Sequence, residues 1–398
     1  CARCLKQNKL PFLIVEADYR LGGRVKTDHL DGFLLNHGFQ VLQTAYPEAR
    51  QVLDFAGLDL KPFAPGAMIR IGGKIHHVAD PLRRPRDLIA TLTAPIGSLT
   101  DRLKILNLVR KVRRQTVPEL FNTPDLSTLD FLRAEGFSEQ IIGRFFKPFF
   151  AGVCLDPEIR ASSRVFQYVL RIFAEGDVAL PGSGMAAIVD QLASQLPPGR
   201  IKTGARVASI EPGGVVLTTG ENIAAGAVVL ATEAPETARL AGLPRQGGSR
   251  GEYCLYFATD KAPVNAPFLL LNGDGHGKVN SLTVPSIVAP SYAPANRHLV
   301  SVVVIENPQT DDDRLEADIQ KELMEWFGPA VNAWRHLKTF RIKHALPTQL
   351  PPMPDPTQPP DTANPGIYIC GEFNSVPGIQ WAMLSGRLAA EQVLKELV

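Results

Sequence analysis

The sequence has few cysteines, almost no net charge and no long apolar run. Its 398 residues contain five scattered cysteines, an odd number that suits a reducing compartment and argues against a disulfide framework. A formal net charge of +2 argues against nucleic-acid binding driven by bulk electrostatics. No apolar stretch is long enough to span a bilayer, and no cleavable signal is visible at the start. We therefore expect a cytoplasmic globular protein with room for two domains.

The first ten residues, CARCLKQNKL, have the pattern of a helix that carries two cysteines. A redox or zinc site built on Cys1 and Cys4 would need further ligands, but there is no second CxxC pair and no histidine cluster nearby. We therefore predict no metal site and expect this helix to pack against a sheet.

The stretch PFLIVEADYRLGGRV, close to the start of the printed sequence, has the features of a dinucleotide site. Its aliphatic run at residues 13–15 predicts a fully buried strand of a parallel sheet. Glu16 follows at the carboxyl end of that strand, where an acid in dinucleotide-binding folds accepts hydrogen bonds from a ribose. Gly22 and Gly23 let the backbone approach a ligand, and the forked guanidinium of Arg24 suits phosphate.

A second stretch, GFLLNHGFQV at residues 32–41, predicts a strand and a turn, because apolar residues alternate between two glycines. A plain hairpin turn is the alternative, since glycine turns are common. Residues 68–75 are also strand-like.

Residues 83–114 form a basic amphipathic segment that can be interpreted in two ways. Such a segment can lie on an anionic membrane surface, which would make the protein peripheral to a membrane. The alternative is an ordinary helix with a solvated basic face. The basic residues are Arg83, Arg84, Arg86, Arg102, Lys104, Arg110, Lys111, Arg113 and Arg114.

Aromatic side chains are concentrated in FFKPFF, residues 145–150, and then at Phe166, Tyr168 and Phe173. They could form the wall of a pocket for a bulky hydrophobic substrate, because aromatic rings supply large apolar areas. Core packing is the alternative.

The rest of the chain alternates short helices and strands. LPGSGM at residues 180–185 opens a helix, AVVLAT at residues 227–232 predicts a buried strand, and residues 253–305 predict strands separated by glycine and proline turns. A helix with an acidic start is expected near residues 311–327, and a non-helical proline-rich piece at residues 346–360.

The C-terminal stretch GIYICGEFNSVPGIQWAMLSGRLAA predicts a strand at residues 367–370, a tight turn at Gly371 and Glu372, and a helix that starts near Ile379. The start of that helix would direct unpaired N–H groups and a positive dipole end at whatever lies before it. This arrangement suits a partly anionic ligand group.

The chain resembles the FAD-dependent oxidoreductases of the flavin amine oxidase superfamily, which includes protoporphyrinogen oxidases, amine oxidases and phytoene desaturases. The resemblance covers nearly the whole length and rests on motifs in a set order: VEADYRLGGRV, GFLLNHGFQV, LPGSGM, ARVASI, VVLAT and the C-terminal stretch. It implies an α/β fold, α+β overall, in which a Rossmann-like FAD-binding domain is interleaved with a substrate domain made of a mixed sheet and helices. We expect the FAD-binding domain at residues 1–60, 180–245 and 345–398, and the substrate domain at residues 61–179 and 246–344.

The resemblance also implies a noncovalent FAD and the residues that would contact it. Glu16 would bind the adenosine ribose, and Val207 would hold the adenine by its backbone. The pyrophosphate and flavin would lie along Gly22, Gly23 and Arg24, and the isoalloxazine would lie near Gly38 and Gln40. Gly371 and Glu372 would contact the ribityl and pyrophosphate. Gln380, Trp381 and Ala382 would contact the pyrimidine edge of the flavin.

Several features of the family pattern are not matched. The resemblance implies a GxGxxG turn immediately before Cys1, which the printed sequence lacks, so we expect an N-terminal truncation that weakens or abolishes FAD binding. SVPGIQW holds no cysteine that could anchor the flavin covalently. Lys261 and Lys278 correspond only by region to the lysine that amine oxidases place near the flavin, and the two-tyrosine cage for amines is not matched.

These departures favour hydride removal from a bulky hydrophobic substrate, carotenoid- or porphyrinogen-like, with reoxidation by oxygen or a quinone. We identify no catalytic residue, since such chemistry needs little beyond orientation by the pocket. The first alternative is an amine oxidase of the same fold. The second is a non-catalytic lipid-binding or escort protein, which fold alone does not exclude but which the retained flavin-site residues argue against.

Overall fold

The computed structural model describes residues 1–80, 83–244, 247–305, 312–359, 364–372 and 376–397. Within these ranges the chain combines parallel strand pairs, a large mixed sheet and a helical region, which confirms the predicted fold class. The helices are α1 (Ala2–Gln7), α2 (Pro47–Val52), α3 (Leu88–Thr93), α4 (Leu99–Arg114), α5 (Val117–Phe121), α6 (Thr128–Ala134), α7 (Glu139–Ile141), α8 (Lys147–Cys154), α9 (Ser163–Glu175), α10 (Ala186–Ser194), α11 (Ala234–Ala241), α12 (Pro285–Val288), α13 (Asp312–Phe327) and α14 (Ile379–Leu397). The strands are β1 (Ile14–Val15), β2 (Thr27–Leu30), β3 (Phe33–Asn36), β4 (Leu42–Gln43), β5 (Leu60–Pro62), β6 (Gly66–Ile71), β7 (Lys74–Ala79), β8 (Val178–Pro181), β9 (Ile201–Lys202), β10 (Val207–Glu211), β11 (Gly214–Leu217), β12 (Asn222–Ala224), β13 (Val228–Leu230), β14 (Ser249–Thr259), β15 (Leu269–Asn272), β16 (Ser281–Thr283), β17 (His298–Val304), β18 (Arg335–Pro347) and β19 (Ile367–Ile369).

Two parallel strand pairs join segments that are far apart in the sequence. β1 pairs with β9 in the register Ile14↔Ile201, and β13 pairs with β19 in the register Val228↔Ile367. Parallel pairing requires a long crossover between the two strands, so each pair encloses a large part of the chain. The carboxyl ends of β1 and β19 are followed directly by predicted site residues.

The predicted packing of the first helix is confirmed. Leu5 of α1 is buried in a cluster with Tyr368, Cys370 and residues of α14. Cys1 and Cys4 are half-buried and pack against the same cluster. The two cysteines therefore contribute apolar contact between helix and sheet.

The prediction of a fully buried strand at residues 13–15 is wrong. The strand contains only Ile14 and Val15, both half-buried, and Leu13 is 42% exposed. A continuous apolar run is fully buried only where the sheet continues and is covered on both faces. Among the described strands, β1 has β9 as its single partner.

Residues 32–41 form the second half of a hairpin. β2 and β3 pair antiparallel, and the turn between them has positive φ at Asp31 (50°) and Gly32 (80°). Positive φ at both central residues is the two-residue turn that matches the twist of a hairpin, and Asp-Gly is a preferred sequence for it. The strand and the plain hairpin turn are therefore both present.

A seven-stranded mixed sheet forms the largest layer, in the order β18-β14-β17-β16-β15-β6-β7. Its neighbours are antiparallel except for β15 and β6, which run parallel. One face packs on α13 through Leu315, Ile319 and Leu323, and the other packs on β3 and β8. Consequently β14 is buried on both sides, including its middle from Tyr253 to Ala258.

The aromatic segment belongs to the core of the helical region. Phe146, Phe150 and Phe166 are buried, with ring centroids 4.4 Å apart for Phe150 and Phe166. Phe145 and Phe149 are half-buried and stack on each other at 6.0 Å. The structure therefore supports the core alternative, because these rings pack mainly against one another and against α4 to α9.

The later elements agree with the sequence in outline. α10 follows LPGSGM, β13 lies within AVVLAT, and α13 starts at Asp312, while Asp311 lies outside the described residues. The proline-rich piece is non-helical through residue 359, and Pro360 lies outside the described residues, as does the expected domain boundary at 245/246. None of the described helices has the length and hydropathy needed to cross a membrane.

Candidate functional site

A cavity of about 1490 Å³ lies where the parallel pairs, α14 and the large sheet meet. Eight of the predicted site residues line it. These are Glu16, Gly22, Gly23, Arg24, Gln40, Gly371, Glu372 and Ala382. The structure therefore brings together the stretch that follows β1 and the stretch that follows β19, which are widely separated in the sequence.

Glu16 lies directly after β1 at the edge of the cavity. Its backbone N–H donates to the Lys202 carbonyl at 2.9 Å, which extends the parallel pairing by one residue. Its Oε1 atom accepts from the Asp18 N–H at 2.8 Å, which fixes the side chain. A carboxylate has more acceptor capacity than this contact uses, so the side chain can still accept from a ligand hydroxyl.

The two glycines play different parts in the cavity wall. At Gly22, φ is +112°, and a Cβ atom would lie 2.5 Å from the Val25 carbonyl oxygen and 3.0 Å from Val189. At Gly23, φ is +57°, and a Cβ atom would meet no atom within 4 Å. Gly22 is therefore required by backbone conformation and close packing, whereas Gly23 presents bare backbone to open space.

Arg24 joins three distant parts of the cavity wall. Its guanidinium donates to the carbonyls of His344 (3.1 Å) and Ala345, and it forms an ion pair with Glu372. The Glu372 side chain is 9% exposed and also accepts from the Ala234 N–H. These contacts differ from the phosphate contact that the forked guanidinium suggests, and they give Arg24 a role in holding the wall together.

Gln40 has one buried polar atom without a partner. Its Nε2 donates to the carbonyls of Arg24 (2.8 Å) and His37 (2.9 Å), whereas its Oε1 accepts no hydrogen bond from the described residues. A buried unsatisfied acceptor is unfavourable in a folded protein, so a ligand that donates a hydrogen bond here would be stabilised.

Glu252 is a cavity residue that the sequence reasoning missed. It lies on β14 and is 8% exposed, and a Cβ atom at Gly38 would lie 2.2 Å from its Oε1. Burial raises its pKa to about 7, although the Phe39 backbone N–H acts in the opposite direction. No basic side chain of the described residues pairs with it. The available signal was a lone acid in the buried run EYCLYFA.

The first turn of α14 faces the cavity. Gly378, Ile379, Ala382 and Met383 line it, and Gly378 has φ of +129°. The Gly371 N–H donates to Ser385 Oγ at 2.9 Å, which ties the turn after β19 to the same helix. The positive end of the helix dipole is therefore directed at the cavity, as predicted for a partly anionic ligand group.

Four predicted residues do not line the cavity. Gly38 packs against Glu252, and the Val207 carbonyl accepts from Arg239. Gln380 Oε1 accepts from the Glu48 N–H at 2.9 Å, and the Trp381 ring packs in the helical core. The Gln380 and Trp381 side chains point away from the cavity because they complete the contacts of α14 with α2 and with Tyr168 and Phe121.

Apolar residues form part of the cavity lining, and two of them lie beside Glu252, which accepts from the Phe39 N–H and pairs with Ile342 across β14 and β18. The aromatic segment contributes no phenylalanine to the lining, and α8 and its C-cap contribute Gly152, Val153 and Leu155 instead. Phe39, Val41, Ile342 and Leu346 are further apolar residues of the lining. Of the described tyrosines only Tyr19 and Tyr46 line the cavity, and Lys278 pairs with Asp318 elsewhere.

Comparison with known proteins places the chain among flavoenzymes. A family model described as Flavin containing amine oxidoreductase matches residues 1–394. A search of curated protein sequences finds no match.

Solved structures with the same fold cover almost the whole chain. An oxidoreductase from Methanosarcina mazei is 18% identical, with a TM-score of 0.69 over 99% of this chain and 96% of its own. A protoporphyrinogen oxidase-like protein from Exiguobacterium sp. 255-15 is 16% identical, with a TM-score of 0.73 over 99% and 95%. A putrescine oxidase variant is 15% identical, with a TM-score of 0.72 over 99% and 96%. Identities this low relate the folds alone.

Proposed function

The chain belongs to the flavin containing amine oxidoreductases and uses FAD, and from this premise we propose that it oxidises a bulky hydrophobic substrate, carotenoid- or porphyrinogen-like. FAD, when bound, supplies the hydride-accepting chemistry of the reaction. Oxygen or a quinone would then reoxidise the reduced cofactor. The protein contributes binding and orientation.

The residues around the cavity fit a dinucleotide cofactor. Glu16 would accept hydrogen bonds from the ribose, and the bare backbone at Gly23 and Gly371 leaves room for close approach. The unpaired Gln40 Oε1 would gain a donor, and the first turn of α14 would stabilise negative charge. No covalent attachment is proposed.

The apolar part of the cavity lining is the observation that carries the substrate class. Small-molecule pockets usually measure roughly 300–1,000 Å³, so a cavity of about 1490 Å³ has room for a substrate beside the cofactor. Its lining includes aliphatic side chains and Phe39, and Phe39 and Ile342 lie next to Glu252. Such a wall binds an apolar molecule through burial of its surface and orients it with few polar contacts.

The test begins with the visible absorption spectrum of the purified protein, which should show a flavin that is released by denaturation. Turnover is then followed as flavin bleaching under anaerobic conditions with carotenoid, porphyrinogen and amine substrates. Bleaching by a polyene or a porphyrinogen, but not by amines, is the expected result. Absence of flavin would support the escort alternative only if it persists when the GxGxxG turn that the resemblance implies is added before Cys1.

An amine oxidase is the second candidate, and Glu252 favours it. A carboxyl in an apolar cavity would pair with the ammonium group of an amine substrate and would be ionised by that contact. The same substrate panel decides between the two candidates. Turnover of an amine that is lost in Glu252→Gln, with the flavin still bound, would replace the first proposal by the second.

A further inference from the structure

An exposed apolar surface lies on α3 and α4, away from the cavity residues. Leu88, Ile89 and Leu92 of α3 are 40%, 77% and 46% exposed, and Leu99 and Leu103 of α4 are 64% and 66% exposed. We call these five residues the α3–α4 face. They are nearly half of the strongly exposed large hydrophobic residues in the described chain, although α3 and α4 are a small part of it. Clustered exposure of this kind marks an interaction site.

The two faces of α4 separate cleanly. Asp101, Leu108 and Val112 are buried on one side, where the helix packs on α9. Leu99 and Leu103 lie on the other side, and at helical spacing Arg110 and Arg114 continue the same stripe. The outward stripe therefore begins with leucines and ends with arginines.

Hydrogen bonds hold α3 and α4 together as one surface. The Arg102 guanidinium donates to the carbonyl of Leu92 at 2.8 Å and to that of Ala94 at 2.7 Å, so the end of α3 is fixed to the first turn of α4. The Ala79 N–H donates to Thr91 Oγ1 at 3.0 Å, which fixes α3 to β7. The exposed leucines therefore lie on helices that are fixed to each other and to β7.

The charge around the α3–α4 face is positive and largely uncompensated. Arg86, Arg110, Arg113 and Arg114 are exposed and make no ion pair or hydrogen bond with the described residues. The acids of the segment are already engaged: Asp87 pairs with Arg84, and Asp101 is buried in a capping box with Ser98. Free arginines beside exposed aliphatic side chains complement an anionic surface that also accepts apolar groups.

We propose that the α3–α4 face docks on the surface of an anionic lipid bilayer. Leu99, Leu103 and Ile89 enter the boundary between headgroups and acyl chains, and the free arginines lie at the headgroup level. The contact is peripheral, because neither α3 nor α4 is long and apolar enough to cross a bilayer. A docked protein would meet hydrophobic molecules at the membrane, but the proposal stands on this surface alone and not on the proposed reaction.

The test measures sedimentation of the whole chain with vesicles at low salt. Vesicles of phosphatidylcholine mixed with phosphatidylglycerol should pellet the protein, and pure phosphatidylcholine should pellet much less. The triple variant Arg110→Gln, Arg113→Gln, Arg114→Gln should lower the partition coefficient about a hundredfold, because each basic residue contributes roughly fivefold near an anionic surface. High salt should have a similar effect on the unmodified protein.

Two control variants separate specific docking from general changes. Loss of three exposed, unpaired charges elsewhere, in Lys9→Gln, Arg200→Gln, Lys321→Gln, should leave binding nearly unchanged. Leu99→Ser and Leu103→Ser together should weaken binding by at least about tenfold, whereas Leu126→Ser, at a leucine 42% exposed on another surface, should not.

Equal losses in the control variants, or equal binding to neutral and anionic vesicles, would overturn the proposal. The double variant Leu99→Ser, Leu103→Ser is also examined by sedimentation velocity without lipid. If the unmodified chain is an oligomer, and the double variant is a monomer that binds vesicles as well as the unmodified chain does, the face binds a second copy and the bilayer proposal is wrong.

Discussion

Replacement of Glu252 by glutamine should remove a pH-dependent penalty on folding. Burial, opposed in part by the Phe39 N–H, raises the pKa of this carboxyl from 4.5 to about 7. One pKa unit corresponds to about 1.4 kcal/mol, so the ionised carboxylate costs the folded state about 3 kcal/mol. Glutamine has nearly the same shape and cannot ionise, so it should not carry that cost.

The sign of the effect follows from proton binding. The unfolded chain releases the Glu252 proton near pH 4.5, whereas the folded protein keeps it up to about pH 7. Between these values the folded state binds more protons, so the contribution of Glu252 to the free energy of unfolding falls as pH rises. The full penalty applies above about pH 7 and none applies well below pH 4.5.

Urea unfolding, followed by circular dichroism, measures this difference. From about pH 5 to about pH 8, Glu252→Gln should gain about 2 to 3 kcal/mol in stability relative to the unmodified protein. Glu48→Gln is the matched control, because Glu48 is also buried but pairs with Arg387 at 2.7 Å. That variant should be less stable at both pH values. A stability difference for Glu252→Gln that does not change with pH would refute the reasoning.

Three further predictions follow from the geometry of the wall and the helical region. Gly22→Ala should lower the free energy of unfolding by about 2 kcal/mol and reduce the flavin retained, because its Cβ would collide with the Val25 carbonyl oxygen at a positive φ. Gly23→Ala should lower it less, since its Cβ has free space. Equal losses in thermal unfolding and flavin content would contradict this prediction. Arg24→Gln should lower the free energy of unfolding by about 2 kcal/mol, because charged hydrogen bonds to Glu372 and to two carbonyls are lost. Arg335→Gln, at an exposed ion pair, should lower it by under about 1 kcal/mol. Urea unfolding measures both differences. Burial opposes ionisation of Asp101, but hydrogen bonds from Ser138 and Ser98 prevail and lower its pKa to about 2, so its stabilising contribution is complete above pH 3.8 and is lost as pH falls through about 2. Asp101→Asn should flatten the acid limb of a stability-against-pH curve, and an unchanged limb would show that these bonds are not formed.

The elements that the sequence predicted well are those decided by neighbouring residues. Asp31 and Gly32 specify a hairpin turn through their own φ preferences. The apolar spacing after Gly378 predicts α14, whose first turn then faces the cavity. Family resemblance added what local patterns do not contain, namely that the stretch after β1 and the stretch after β19 share one cavity.

The residues that escaped prediction depend on contacts between distant segments. Glu252 becomes a cavity residue only because β14 passes beneath Gly38, and nothing near residue 252 indicates this. The partners of Arg24 lie more than 300 positions away, so its guanidinium could be assigned to phosphate but not to Glu372. The aromatic residues at 145–150 fit either a pocket or a core, and packing with α9 decided for the core.

The ion pair between Arg24 and Glu372 has a consequence for biosynthesis. The two residues are 348 positions apart, and the cavity wall they join is completed by α14, the last described helix. On the ribosome, β1 and the glycine pair emerge long before β19 and α14 exist, and closing such long loops is slow. The cavity therefore cannot form until α14 has been synthesised, so the cofactor should be taken up only after that point, and until then the apolar surfaces of the early segments stay uncovered.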